Sequence, residues 1–471
     1  MNPLAALVLP AIRWDAERGF APALPAAEAA LAMGVGGFII FGGEREAVAR
    51  LSADLRAAAP HALLVASDLE RGAGQQVAGL TPLPPAMAVA ALGERAVAEA
   101  ATITATEARD VGISWAFAPV VDLDVEPANP IVQTRAFGDD PEAVGRAGAA
   151  WIAACQAAGV LACAKHFPGH GRTTADSHAV LPVVGVSRET LEADLLPYRW
   201  AVGAGVAGVM TAHVAYPSLD PSGCAATHSR PILDGVLRRE LAFDGLVVTD
   251  ALIMEGAVQG TGEQAGAVRA LEAGCDLLLY PRDVAAVVAA IAAGAAARAL
   301  DARRLDASLA RRLAAAEGAG RPARLPDAEL ERQRARGRDI CRSAVRLLRG
   351  EPRRARGAVA LEIVDDDAGG PYPLPPRSAF ADALAGAGAT VAPDGERVVL
   401  LFADVKGWKG RASLSAASRR SLAAALLAPA TVVLFGHPRL LAEIPGRGPV
   451  WGAWSGDVAM QHAAAERLLA G

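Results

Sequence analysis

The sequence predicts an α/β protein, an N-terminal (β/α)8 TIM-like barrel followed by a smaller C-terminal α/β sandwich. Three observations point there. Eight short apolar, β-branched runs alternate with Ala-, Leu-, Glu- and Arg-rich helical stretches over roughly the first 300 residues, a pattern that fits a closed parallel sheet better than an open one. Polar residues crowd the C-terminal ends of those runs, where a barrel assembles its site from the adjoining loops. A charged, Gly- and Pro-containing segment, GAGRPARLPDAELERQRA (318–335), then separates a second set of runs, as an inter-domain linker does. The expected division is 1–317 for the barrel, 318–335 for the linker and 336–471 for the small domain.

The first run, LAALVL (4–9), is preceded by no basic segment and is broken by Pro10. It reads as an opening strand and not as a signal peptide. GGFIIF (36–41) lies within a glycine-rich stretch, GVGGFIIFGG (34–43), whose small residues ease packing inside a barrel. ALLVAS (62–67), WAFAPVVDL (115–123), VLACAKH (160–166), GVMTAH (208–213), GLVVTD (245–250) and DLLLY (276–280) complete the set. Between the fourth and fifth, PEAVGRAGAAWIAACQAAG (141–159) carries apolar residues at i, i+3 and i+4 spacing, the mark of an amphipathic helix. In the C-terminal part, GAVALEIVDD (357–366), RVVLLFADV (397–405) and TVVLFGHP (431–438) read as strands, with helical stretches at 378–388 and 416–428 between them.

Composition narrows the functional classes. Apolar residues are 52% and charged residues 21% of the chain, far from a disordered composition. The net charge of −5 gives no electrostatic reason to expect nucleic acid or anionic lipid as a partner. Five scattered cysteines without CxxC spacing argue against a disulfide framework or a cysteine zinc site. The most apolar late stretch, 284–297, is too short to span a membrane, and a cytoplasmic location is expected. No GxxxxGK[ST] loop, GxSxG elbow or GxGxxG turn is present, which removes support for nucleotide binding and serine hydrolysis.

The strand ends carry Asp68 and Glu70, Arg135 in the long loop after the fourth run, Lys165 and His166, His213 and Asp250. The densest cluster is KHFPGHGRTTADSH (165–178). A cation beside an imidazole can hold sugar hydroxyls or a carboxylate. Gly169 and Gly171 imply a positive φ or a close backbone approach. In Asp176-Ser177-His178 the carboxylate can orient the imidazole and raise its basicity. A competing reading makes His166, His170, Asp176 and His178 ligands of zinc or of a binuclear centre, although Pro168 and Gly169 prevent a helical HxxxH pair. Asp250 has a structural alternative as the N-cap of a helix. Asp365, Asp366 and Asp367 read as a solvated acidic turn, and Trp408, Trp451 and Trp454 as packing residues.

KHFPGHG followed by four residues and DSH resembles the signature of glycoside hydrolase family 3 in its β-N-acetylhexosaminidase branch. FAPVVDLDVEPANPIVQTRAFGDDP (117–141), MTAHVAYP (210–217) and LRRELAFDGLVVTDALIMEGA (237–257) resemble further blocks of that family in the same order, and GAWSGDVAMQHAAAERLLAG (452–471) resembles the end of its two-domain members. The resemblance implies that Asp250 is the nucleophile, that His178 is the acid/base with Asp176 as its partner, and that Asp68, Arg135, Lys165 and His166 bind the terminal sugar. It implies a retaining exo-β-N-acetylglucosaminidase of cell-wall sugar turnover, with N-acetylglucosaminyl–anhydromuramyl compounds as substrates and no metal or organic cofactor. One stretch departs from the family pattern: where the family has D-x-E-G-G-R-V-Q-R, this chain has DLERGAGQQ (68–76). Gln76 replaces a sugar-contacting Arg and Arg71 replaces a Gly. The alternatives are phosphorolysis by the same fold, a β-glucosidase of the family, and a non-catalytic sugar-binding protein.

Overall fold

The computed structural model describes residues 2–175, 180–258, 262–352, 357–370 and 374–470. Nine short strands form the first half: β1 (Val8–Leu9), β2 (Ala11–Arg13), β3 (Gly37–Phe41), β4 (Leu64–Ser67), β5 (Trp115–Ala116), β6 (Cys163–Phe167), β7 (Gly208–Thr211), β8 (Leu246–Thr249) and β9 (Leu278–Leu279). They pair in parallel as β2-β3-β4-β5, β6-β7-β8 and β1-β9. Single parallel bridges, Trp115–Leu161 and Val248–Leu277, connect these sets.

The side chains sort by the two-residue period of a strand. Leu9, Ile39, Leu64, Trp115, Cys163, Met210, Val248 and Leu279 pack into one cluster. Their neighbours Val8, Phe38, Ile40, Val65, Ala164, Val209 and Val247 pack into another with the surrounding helices. Strands buried on both faces explain why the runs read as continuously apolar rather than alternating. The expected use of glycine in 34–43 is confirmed at two positions. A Cβ on Gly36 would stand 1.9 Å from the Ala6 carbonyl oxygen, and one on Gly37 would stand 2.0 Å from that of Leu64.

Two expected strands are shorter than their apolar runs. The sequence predicts residues 4–9 to be extended throughout, yet Pro3–Leu7 is a 3-10 helix. Pro3 favours a helical first position, and the Asn2 side chain accepts the Leu4 N–H at 3.1 Å, a cap that outweighs the extended preference of this apolar run. In 115–123 the ladder stops after Ala116 and resumes only as a bridge from Val120 to Lys165, because Pro119 between them has no N–H to donate. The helix expected over 141–159 forms at Pro141–Ala157, its first turn capped by Asp140.

The second half is a six-stranded sheet: β10 (Arg346–Arg349), β11 (Ala358–Asp365), β12 (Thr390–Val391), β13 (Glu396–Ala403), β14 (Thr431–Gly436) and β15 (Val450–Gly452). Its spatial order is β10-β15-β14-β13-β11-β12, parallel except for β10 against β15. β11, β13 and β14 are the three expected strands; the short edge strands are additional to them. Within the segment expected to be linker, only 319–326 is irregular. Asp327–Ala344 is a helix whose Leu330, Gln333, Gly337, Ile340 and Cys341 are buried, a spacing of three and four obscured by the density of arginine and glutamate around it. Polar contacts join the halves: Arg71 Nη1 pairs with Asp457 Oδ2 at 2.6 Å and Arg439 Nη2 with Asp124 Oδ2 at 2.7 Å, and His437 Nε2–H donates to the same Asp124 oxygen at 2.8 Å.

The acidic turn after β11 corrects an expectation. Asp366 and Asp367 are buried, not solvated. Arg411 meets Asp366 at 2.7 Å, Lys409 meets Asp367 at 2.5 Å, and Arg377 bridges Asp365 and Asp367. Trp451 and Trp454 are buried as expected, whereas Trp408 is partly exposed. All five cysteines are free thiols. No helix among the described residues is long and apolar enough to cross a membrane.

Candidate functional site

The C-terminal ends of the first-half strands surround a cavity of about 280 Å³. It is lined by Asp68 and Glu70 after β4, Arg135 from the loop after β5, Lys165 and His166 on β6, His170 beyond it, and Asp250 after β8. Five of the seven residues assigned to the site from the sequence, Asp68, Arg135, Lys165, His166 and Asp250, thus share one cavity. Asp176 and His178 lie outside the described residues.

The floor is an ion cluster. Lys165 Nζ donates to Asp68 Oδ1 and lies 2.8 Å from both that atom and Glu70 Oε1. Arg135 grips Glu70 with two N–H groups, at 2.8 and 2.9 Å, the fork geometry that makes Arg–carboxylate pairs directional. Burial pushes the Glu70 carboxyl up, but Arg135 and Lys165 outweigh it and hold the group well below the usual carboxylate range. Burial likewise pushes the Lys165 ammonium down, and Asp68 and Glu70 more than restore it. Glu70 has its oxygens committed to two cations, so its task is to orient them. Replacing it with Gln strands both charges: Glu70→Gln lowers the unfolding free energy by about 3–5 kcal/mol, the usual cost of breaking a buried pair from one side. Urea unfolding at neutral pH measures this, and a loss below about 1 kcal/mol would show that the cluster is not an energetic unit. The folded carboxyl sits below its ordinary value of 4.5. The contribution is therefore complete above that pH and is lost as acidification proceeds toward the folded value.

The imidazoles are set by a residue that sequence reasoning passed over. Asp122 is fully buried; its Oδ2 lies 2.7 Å from His166 Nδ1, and its Oδ1 accepts the backbone N–H groups of His166 and His170 at 3.2 and 2.6 Å. Burial raises its pKa, but the histidines more than compensate and keep it ionised. The His166 Nδ1–H therefore donates to it and fixes the ring's tautomer. Burial pushes His170 down to about 4, with His166 acting in the same direction, so His170 is a neutral ring at pH 7, sharing a 2.8 Å hydrogen bond with Thr173 Oγ1. Asp122 closes the apolar run 115–123, and the same strand-end rule that selected Asp250 could have selected it. Asn129 ties the neighbouring loops together: its amide donates to the His170 and Gly171 carbonyls and its oxygen accepts from Ile131 and Val132 N–H. The glycine expectation holds here as well. Gly169 has φ +133°, and a Cβ on Gly171 would stand 1.9 Å from the Leu123 carbonyl oxygen.

Asp250 succeeds Leu246–Thr249, a strand with every residue buried. Its Oδ1 accepts the Ala251 N–H at 2.7 Å. The next helix begins at Glu255, which removes Asp250 as its N-cap. His213, another strand-end candidate, is buried and bonds Thr227 Oγ1 and the Ala251 carbonyl, so it supports the backbone beside Asp250. Of the departures in 68–76, Arg71 and Gln76 line the cavity. Gln76 accepts the Gly42 N–H through its side-chain oxygen at 3.1 Å, and Arg71 reaches Asp457 of the second half. Asp404 and Val405, just beyond β13, complete the wall. The described residues hold no group of three His, Cys, Asp or Glu side chains placed to bind a metal; two of the four ligands in the metal reading, Asp176 and His178, fall outside them.

Known proteins resemble this chain in sequence and in overall fold. The sequence profile of the glycosyl hydrolase family 3 N terminal domain matches residues 15–315. A β-N-acetylglucosaminidase/β-glucosidase of Cellulomonas fimi is 36% identical over 318 residues, which are 63% of this chain and 56% of that protein. A β-hexosaminidase of Thiobacillus denitrificans is 40% identical over 260 residues, 52% of this chain and 71% of that one. The solved structure of a family 3 β-N-acetylglucosaminidase from Paenibacillus sp. superposes with a TM-score of 0.87 at 28% identity, covering 100% of this chain and 96% of that chain.

Proposed function

Because the chain belongs to glycosyl hydrolase family 3, we propose that it is a retaining exo-β-N-acetylglucosaminidase working on a (β/α)8 barrel with a small C-terminal α/β domain. The reading is carried by the placement of Asp250 in one cavity with the Lys165–Asp68–Glu70–Arg135 cluster and His166. Asp68, Arg135, Lys165 and His166 hold the hydroxyls of the terminal sugar. Asp250 attacks the anomeric carbon as the glycosidic C–O bond breaks, and His178 delivers a proton to the departing oxygen. Water then attacks the glycosyl–Asp250 ester, giving its proton to His178, and the carboxylate is regenerated. Three cations, Arg71, Arg135 and Lys165, and four carboxylates, Asp68, Glu70, Asp250 and Asp404, line the cavity, formally leaving one negative charge to meet an oxocarbenium-like transition state. Sugars from cell-wall turnover are the proposed substrates, and five unbridged thiols suit a reducing cytoplasm.

The test is turnover of 4-nitrophenyl N-acetyl-β-D-glucosaminide with the product anomer followed by proton NMR. Initial release of the β-anomer is expected; the α-anomer would eliminate the retaining step, and sugar 1-phosphate formed in phosphate buffer would favour phosphorolysis. Activity is expected to survive EDTA, since acid/base and sugar-binding roles account for the histidines. Loss on chelation with recovery in zinc would restore the metal reading.

A further inference from the structure

The second half meets the cavity at a particular place in its own sheet. From β11 the chain moves outward to β12, then crosses back to β13 on the other side of β11. The strand order reverses between β11 and β13, and in open parallel sheets the crevice at the carboxyl ends of such strands is where ligands bind. Asp404 and Val405 directly succeed β13 there, and both line the cavity of the first half. Two strand-end sites that each sheet would present alone therefore open onto one space.

The deeper charges of this crevice are used up in its own structure: Lys409 is held by Asp367 and by the Asp404 carbonyl oxygen, and Arg411 by Asp366. The Asp404 carboxylate is different. Its Oδ1 accepts the Val405 N–H at 2.9 Å, while Oδ2 stands 3.7 Å from Lys406 Nζ, beyond hydrogen-bonding reach. Lys165, Asp68, Glu70 and Arg135 are joined by ion pairs and form the floor, whereas Asp404, from the second half, lies on the wall. Arg71 belongs to the wall through its ion pair with Asp457.

We infer that Asp404 and Arg71 form a second subsite that takes the hydroxyl groups of the sugar on the leaving side of the scissile bond, with Asp404 as a specificity-determining residue. This rests on the hydrolase reading above. When a terminal sugar fills the floor at Asp250, the remainder of the substrate extends toward the wall. A carboxylate that accepts and a guanidinium that donates, both lining the cavity, match hydroxyls, which are at once donors and acceptors. Arg71, a departure from the family pattern, and Asp404, from the other half, would then read the leaving group together.

The experiment compares N,N′-diacetylchitobiose with 4-nitrophenyl N-acetyl-β-D-glucosaminide for the wild type, Asp404→Asn and Asp404→Ser. Both substitutions keep an oxygen for the Val405 N–H, and circular dichroism verifies the fold of each. Removing a charged hydrogen-bonding partner lowers kcat/KM for the disaccharide by about 10- to 100-fold, chiefly through KM, with a loss at least tenfold smaller on the aryl glycoside. Equal losses on the two substrates, or none on the disaccharide, overturn the subsite while leaving the hydrolase reading intact. If the wild type turns over neither substrate, it is the hydrolase reading that fails. Calorimetric binding of N,N′-diacetylchitobiose then decides the subsite, unchanged affinity in Asp404→Asn overturning it.

Discussion

Asp250→Ala is expected to lower turnover by at least about 10⁴-fold, the scale seen when a covalent nucleophile is removed. The side chain contributes no core volume, and the strand before it, Leu246–Thr249, remains buried and paired with β7. The structural loss includes the acceptor for the Ala251 N–H, worth about 1 kcal/mol. Asp250→Asn keeps that acceptor and the side-chain size while removing the charge and nucleophilicity, so it should be equally inactive while remaining folded by circular dichroism. Near-normal turnover in either folded variant would remove Asp250 from the covalent step.

His178→Ala is expected to divide substrates by leaving group. A dinitrophenolate departs with little protonation, whereas a sugar alkoxide needs it nearly complete in the transition state. The loss should approach about 10²–10⁴-fold on a disaccharide, the range of general acid catalysis, and be far smaller for the glycosylation step of an activated aryl glycoside. Deglycosylation still suffers, because the same imidazole must take a proton from water, so the glycosyl–enzyme accumulates. Pre-steady-state phenol release across a leaving-group series reads this as a burst. Asp176→Ala should show a milder form, with the imidazole present but poorly oriented. Uniform losses without a burst would place the acid/base elsewhere.

Most strands of the first half are legible because they are buried on two faces, so a run such as GLVVTD announces both its element and the polar residue that ends it, whereas β2, with Arg13 exposed, lies outside the expected runs. The glycines of GVGGFIIFGG and KHFPGHG are legible for a related reason: the backbone approaches at Gly36, Gly37 and Gly171 leave no space for a Cβ. Partnership cannot be read locally. Asp366 and Asp367 look like a solvated turn in sequence, and only Arg377, Lys409 and Arg411, 10 to 45 residues away, bury them. Asp122 stands near the end of the apolar run 115–123 in plain view, yet its value lies in holding two backbone N–H groups 44 and 48 residues further on. Asp404 is still less visible, because its meaning depends on a cavity built by the other half of the chain.

His437 and Arg439 of the second half both close on a single oxygen of Asp124, two residues after the carboxylate that sets His166 and His170. That arrangement bears on modularity. A chain cut after the first half would expose the Asp124 carboxylate without either partner and loosen the segment from which Asp122 reaches the two histidines. The smaller half is thereby a keystone for the segment that orients the imidazoles, and grafting the first half alone into another context would transplant the cavity without the brace that holds its shape.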